Sequence, residues 1–262
     1  MAEAATAVST LREYDAFAPF YDAFTAESDY EKWTGYMLEL AERLGLRGRT
    51  LLDLACGTGK SFVPFIERGF EVTACDLSSA MLAEAARKAP EATLFEADVR
   101  ELGSVGGFDL VTCFDDSLNY LLDERDLARA LDSIALNLSP AGIALFDLNT
   151  LLAYRTTFAR DSVADRDGTL FAWRGESSSE AAPGCRAEAR IDIFRPSGNG
   201  LYERVSVRHA QRHFPPVRVT ALIAGVGLDC IGVHGVERDG RPVPELDETR
   251  HLKVLYACRS RA

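Results

Sequence analysis

The run Leu51-Leu52-Asp53-Leu54-Ala55-Cys56-Gly57-Thr58-Gly59 constrains the fold more than any other stretch of this chain. An apolar strand ends in an acidic residue and a turn of small residues, and a helical pattern starts directly behind it. In open α/β sheets, this is the place where nucleotide-type ligands sit, at the carboxyl edge of a parallel strand. The turn has to bring its backbone close to a ligand, and Gly57 and Gly59 permit the dihedrals that such an approach requires. A second strand-like run, Glu71-Val72-Thr73-Ala74-Cys75, leads to Asp76, whose two carboxylate oxygens suit a pair of ribose hydroxyls. A dinucleotide fingerprint counted from Gly57 wants glycine at position 62, and Phe62 stands there. That spacing weighs against a nicotinamide oxidoreductase.

The rest of the chain reads as a scaffold for such a site. Strand patterns at 50–54, 71–75, 93–96, 108–113 and 142–147 alternate with helical ones at 61–68, 78–88 and 124–138. Ahead of them, 11–27 and 30–44 read as helices; Tyr14, Phe17, Tyr21 and Phe24 recur at helical spacing, and Pro19 is expected to break or kink the first. Between about 169 and 214 apolar and polar residues alternate instead. Ala187, Ala189, Ile191 and Ile193 share one face, and Arg186, Glu188, Arg190 and Asp192 the other. A helix at 216–224 and strands near 228–237 and 251–258 follow, the strands reading as an antiparallel hairpin. The expectation is an α/β protein with a doubly wound, mostly parallel seven-stranded sheet and an inserted small antiparallel β-sheet. It divides into an N-terminal helical lid (1–48), a cofactor-binding α/β core (49–150), an inserted antiparallel substrate subdomain (151–214) and the C-terminal part of the core (215–262).

Composition narrows the partners. A chain of 262 residues buries one large core carrying a subdomain. Its net charge of −11 repels phosphates, so no nucleic-acid partner is expected, and Arg208, Arg212 and Arg218 are too sparse for a phosphate track. No apolar run is long enough to span a bilayer, and 1–10 lacks the apolar stretch of a leader. The six cysteines form no Cys-x-x-Cys pair, which favours free thiols in a reducing, cytoplasmic setting over a disulfide framework or a zinc site. His209 and His213, about 13 Å apart along a strand, do not suit a shared metal, and none is expected. A small-molecule acceptor is the expected partner, with the chain a monomer or homodimer.

From the acid loop through Asn149, and more weakly from 202 to 259, the chain resembles class I S-adenosylmethionine-dependent methyltransferases. Within them it is most similar to a bacterial small-molecule subgroup with an N-terminal Tyr-Asp segment, here Tyr14-Asp15 and Tyr21-Asp22. That subgroup also carries the stretch that runs here from Phe108-Asp109-Leu110 to Asp116-Ser117-Leu118-Asn119-Tyr120-Leu121. The resemblance implies a Rossmann-like methyltransferase fold, S-adenosyl-L-methionine as cofactor and S-adenosyl-L-homocysteine as product. It also implies transfer of the methyl group to an amine or hydroxyl of a small metabolite by in-line displacement, natural-product biosynthesis being one setting.

By the same resemblance, Asp53 orders the loop and meets the amino end of the methionine moiety. Gly57 and Gly59 lie against that moiety, with Ala55 where many relatives have glycine. Asp76 takes the ribose, Leu77 and Met81 flank the adenine, and Asp98 with Val99 binds its edge. Phe114 faces the methionine part, and Tyr21 and Trp33 supply aromatic surface near the sulfonium, where a cation–π attraction is worth roughly 0.5–2 kcal/mol. Asp115, Asp116 and His209 are the candidate bases or acceptor holders, and Tyr14, Asn119 and Tyr120 the candidate acceptor wall. Plain structural roles compete for most of these: helix caps for the aspartates, core packing for the aromatic stripe, a solvent-facing strand end for His209. Two other functions also fit parts of the pattern, a cofactor-binding sensor without catalysis and a nicotinamide-dependent oxidoreductase.

Overall fold

A computed structural model describes residues 2–261, with side chains from residue 13 onward, so the side chains behind the no-leader reading of 1–10 lie outside the described residues. Two N-terminal helices, α1 (Ala2–Phe24) and α2 (Tyr30–Arg43), precede the alternating core. The core then runs β1 (Thr50–Leu54), α3 (Val63–Glu67), β2 (Glu71–Asp76), α4 (Ser79–Lys88), β3 (Thr93–Glu96), β4 (Phe108–Cys113), α5 (Glu124–Asn137), β5 (Leu138–Asn149) and α6 (Leu151–Thr156). Next come the antiparallel strands β6 (Asp161–Arg166), β7 (Thr169–Gly175), β8 (Arg186–Gly198) and β9 (Leu201–Arg212). The chain closes with α7 (Pro216–Gly225), β10 (Leu228–Val236), β11 (Pro242–Val243) and β12 (Lys253–Ser260).

The large sheet has the order β11-β10-β12-β5-β4-β1-β2-β3. Strands β1 to β5 pair in parallel, while β12 slots antiparallel between β5 and β10. The expected hairpin is thus an antiparallel pair built into the sheet, and β11 adds a two-residue eighth strand at the edge. Alternate strand residues feed two cores. Leu51, Leu110, Leu145 and Leu255 pack with Met37, Phe62 and Phe65 on one face. Leu52, Val111, Phe146 and Tyr256 pack with Leu127, Ile134 and Ile223 on the other. Continuous apolar strands covered on both faces are what a parallel sheet demands.

The smaller sheet, β6-β7-β8-β9, turns its apolar face inward. Ile191, Ile193 and Val207 meet Phe17, Ala18 and Phe20 of α1 and Met81 of α4, so α1 is clamped between the two sheets' layers. This packing explains one departure from expectation. Pro19 does not break α1, which continues to Phe24. A missing backbone donor costs one bond of the helix ladder, and the buried residues on either side of the proline hold the turn in place. Helix α3 is shorter than its pattern because a hydrogen-bonded turn from Gly59 to Phe62 occupies its expected start, with Pro64 in its first turn.

Candidate active site

The turn after β1 is built from left-handed residues: Ala55 at φ 53°, Gly57 at 53° and Gly59 at 85°. Alanine pays roughly 1–2 kcal/mol for that conformation, which glycine does not. The two glycines serve different ends. A side chain at Gly57 would meet nothing within 4 Å, so the space over its backbone is open. A side chain at Gly59 would come within 2.9 Å of the Phe62 ring, so that glycine serves the packing of the turn. Asp76, at the end of β2, braces the loop. Its Oδ2 accepts from the Gly57 N–H at 2.8 Å and its Oδ1 from the Ser78 N–H at 2.9 Å. Burial holds its carboxyl above the ordinary range despite these donors.

A cavity of about 360 Å³ opens at this carboxyl edge. Ala55, Gly57, Asp76, Leu77 and Met81 line it from the first two strand ends, and Asp98 and Val99 from beyond β3. Tyr14, Tyr21, Asp115 and Tyr120 line it too, so α1 and the loop after β4 face the same space. The aromatic stripe therefore divides its labour: Tyr14 and Tyr21 reach the cavity, while Phe17 and Phe24 pack on each other at 5.3 Å and Phe24 on Phe171 at 5.6 Å. Ser78 caps α4 by accepting from the Met81 N–H, while its hydroxyl donates to Asp15 of α1.

Beyond β4 the chain turns through two consecutive left-handed residues, Asp115 at φ 60° and Asp116 at 52°. The Asp147 carboxylate at the end of β5 accepts both of their backbone N–H groups, at 2.7 and 3.1 Å. Lys253, the first residue of β12, donates to all three carboxylates: 2.9 Å to Asp115, 2.7 Å to Asp116 and 2.9 Å to Asp147. Tyr21 of α1 and Tyr30 of α2 both donate to the other oxygen of Asp115, at 3.1 and 2.8 Å. Gln211 of β9 donates to Asp116 at 2.6 Å. Burial raises the carboxyl of Asp115, but Lys253 and the two tyrosines outweigh it and hold the group below its usual range. Asp116 goes the other way: burial and the neighbouring carboxylates outweigh Lys253 and raise it.

Several sequence-selected residues stand outside the cavity wall. Asp53 is buried behind the loop, accepting from Ser61 at 2.7 Å and Thr112 at 2.5 Å, and burial pushes its carboxyl up to about 6. Trp33 stacks edge-on against Phe114 at 4.9 Å and against Tyr30, so that pair belongs to the packing of α2 on the sheet. Asn119 is a fully buried strut, donating to the Arg212 carbonyl and accepting from the Asn149 N–H. His209 neither emerges into solvent nor titrates near neutrality: burial takes it down to about 4. Its Nδ1 lies 2.6 Å from the Tyr120 hydroxyl, and its ring is enclosed by Tyr14, Phe17 and Trp173.

Two further residues of the site, Arg100 and Tyr30, carried no local signal. Arg100 grips both oxygens of the cavity-lining Asp98 and reaches Asp126 at 2.9 Å. Tyr30 acts from a helix remote in sequence, whereas Gln211 did have a signal, as a polar residue continuing the apolar strand face of Val205 and Val207. Asp147 did have a signal, since it ends a buried strand at the same carboxyl edge as Asp53 and Asp76. Lys253 had none, because its place depends on β12 running backwards through the sheet.

The glycine turn with open space above it, the carboxylate at the second strand end and the doubly wound sheet define a Rossmann-like cofactor-binding protein. Residues 51–142 match the methyltransferase domain family. The chain is 33% identical to the Bacillus subtilis protein YqeM, which carries a methyltransferase assignment, over 86% of this chain and 89% of that one. It is 28% identical to dTDP-3-amino-3,4,6-trideoxy-alpha-D-glucopyranose N,N-dimethyltransferase of Streptomyces venezuelae, over 78% of this chain and 83% of that one. The crystal structure of an S-adenosylmethionine-dependent methyltransferase from Clostridium acetobutylicum superposes with a TM-score of 0.79 at 25% identity, covering 95% of this chain and 99% of that one. The chain belongs to the class I S-adenosylmethionine-dependent methyltransferases, and S-adenosylmethionine is its cofactor. Among the described residues no helix is long and apolar enough to cross a membrane.

Proposed function

We propose that this chain methylates an amine nitrogen of a small-molecule acceptor, and that Asp115 seats that nitrogen. The supporting observation is a carboxylate in the cavity wall to which Lys253, Tyr21 and Tyr30 all donate, an arrangement that favours its charged form. The cofactor supplies an activated methyl group on a positive sulfonium. A neutral amine that takes up this methyl gains positive charge on nitrogen as the bond forms. A fixed anion beside that nitrogen is worth more in the transition state than before it, and it needs no high proton affinity. A hydroxyl acceptor asks for the opposite, a strong base in contact with it. Asp115 is held too acidic for that role, and His209 is buried and neutral behind Tyr120.

On the cofactor side the open backbone at Gly57 receives the methionine moiety, and Asp76 keeps lone pairs for the ribose hydroxyls. Leu77 and Met81 give apolar surface to the adenine, beside Asp98 and Val99. Tyr14, Tyr21 and Tyr120 close over the transfer point and exclude water. The amino-sugar N,N-dimethyltransferase among the relatives adds weight to an amine acceptor. The test is product formation by mass spectrometry, using S-adenosylmethionine with amino sugars and with their hydroxyl counterparts. Mass gain of one or two methyl groups on the amines alone supports the proposal, and methylation of the hydroxyl series alone overturns it.

A further inference from the structure

We propose that Lys253 is a positioning residue of this enzyme, keeping the Asp115 carboxylate ionised and turned so that it faces the cavity and the two lid tyrosines together. The inference rests on the amine-seating role proposed for Asp115 and adds a residue that makes no contact with the acceptor.

The geometry follows from topology. Because β12 runs antiparallel to β5, with Lys253 opposite Asn149, its first residue lies at the edge where β1, β4 and β5 end. β11 also begins at this edge, but β10 and β12 separate it from β5. Lys253 puts one ammonium within 2.9 Å of three carboxylates that come from the loop after β4 and from the end of β5. Each oxygen of Asp115 then has its own task. Oδ1 takes the lysine, while Oδ2 takes Tyr21 from α1 and Tyr30 from α2. A protonated Asp115 would lose this division, since a carboxylic acid cannot serve three donors as a carboxylate does. The charge on Lys253 thus reaches the lid through one side chain.

The groups facing this cluster come from every element packed on it. They are Tyr21, Tyr30, Tyr14, Tyr120, Asp147, Gln211 and, through space, Lys60 and Tyr154 of α6. The tyrosines are held neutral by burial, well above their ordinary range. Three carboxylates against one ammonium in contact leave the cluster short of positive charge. An acceptor nitrogen that becomes cationic supplies it, which hydroxyl acceptors do not.

The experiment follows the carboxyl carbons of Asp115 and Asp116 by NMR as pH is varied, on protein saturated with S-adenosylhomocysteine. Wild type, Lys253→Met and Lys253→Arg are compared. In Lys253→Met the Asp115 midpoint should rise by about two pH units or more, because an adjacent cation lowers a carboxyl by about one to three. Lys253→Arg should restore most of that shift. An Asp115 midpoint that stays put in Lys253→Met, or rises equally in both variants, overturns the proposal. If Lys253→Met does not fold, the double variant Lys253→Met with Asp116→Asn removes one of the stranded charges and gives the same reading. These titrations need no acceptor, so an amine screen without product would count against the proposed function and leave this result to stand or fall alone.

Discussion

Asp115 and Asp116 are neighbours in sequence with opposite titration, and the difference is one of partners. Asp115 has a lysine and two phenols, while Asp116 shares that lysine with two other carboxylates and sits deeper. Asp53, buried and raised to about 6, binds a proton in the folded chain at a pH where an unfolded aspartate has lost it. Its contribution to stability therefore grows as pH falls from about 6 toward 4, whereas that of Asp115 is present above the ordinary aspartate range and fades below it. The raised groups predict a cofactor effect. S-adenosylmethionine carries a sulfonium charge that S-adenosylhomocysteine lacks, and a cation near raised carboxyls draws off their protons. At pH 6 binding of the methionine form should release more protons, read as a steeper dependence of calorimetric enthalpy on buffer ionisation; equal release by both contradicts it. The cofactor-side residues were legible because each follows a strand in a recurrent order. Lys253 was not, since nothing within ten residues of it announces three carboxylates.

At the scale of elements, α1 is the connecting piece. Phe17 is 1% exposed and joins α1 to both the small sheet and His209. Asp15 and Asp22 on the same helix and Thr25 just beyond its end bond Ser78, Thr58 and Lys60, so α1 is tied to the cofactor loop and to the start of α4. Phe17→Ala should cost about 3–5 kcal/mol, the usual result of emptying a buried aromatic site, read from denaturant unfolding. A loss below about 1 kcal/mol would mean that α1 contributes little to the fold. The amphipathic stripe was readable from spacing alone, but its split between cavity and packing was not. Of the two outcomes expected at Pro19, the break does not occur, for a related reason: a local rule describes the isolated helix, and here Phe17, Ala18 and Phe20 are buried around the proline. The alternation of β8 was legible residue by residue, since Ala187, Ala189, Ile191 and Ile193 are all buried. Yet β6, with its exposed and charged residues, gave no strand signal before 169.

Across the whole molecule, the carboxyl-edge loops of the large sheet, α1 and the start of β8 line one cavity, which the proposed function gives to two ligands. The doubly wound core was legible because its strands are apolar on both faces and its turns fall at fixed places. The meeting of α1, β9 and β12 over the β4 loop was not, because those contacts join residues up to 195 positions apart. Under the proposed function the cavity divides between a cofactor side, marked by Gly57 and Asp76, and an acceptor side, marked by Asp115. The most direct test measures S-adenosylhomocysteine affinity and amine turnover together in Asp76→Asn and Asp115→Asn. Asp76→Asn should weaken affinity by about tenfold or more, the loss expected for a hydrogen bond to a charged group. Asp115→Asn should lower turnover by about 10²-fold, as for loss of one electrostatic contact in a transition state, with affinity changed by less than about threefold. Equal loss of affinity in both variants, or undiminished turnover in Asp115→Asn, would contradict the division and with it the seat assigned to the acceptor nitrogen.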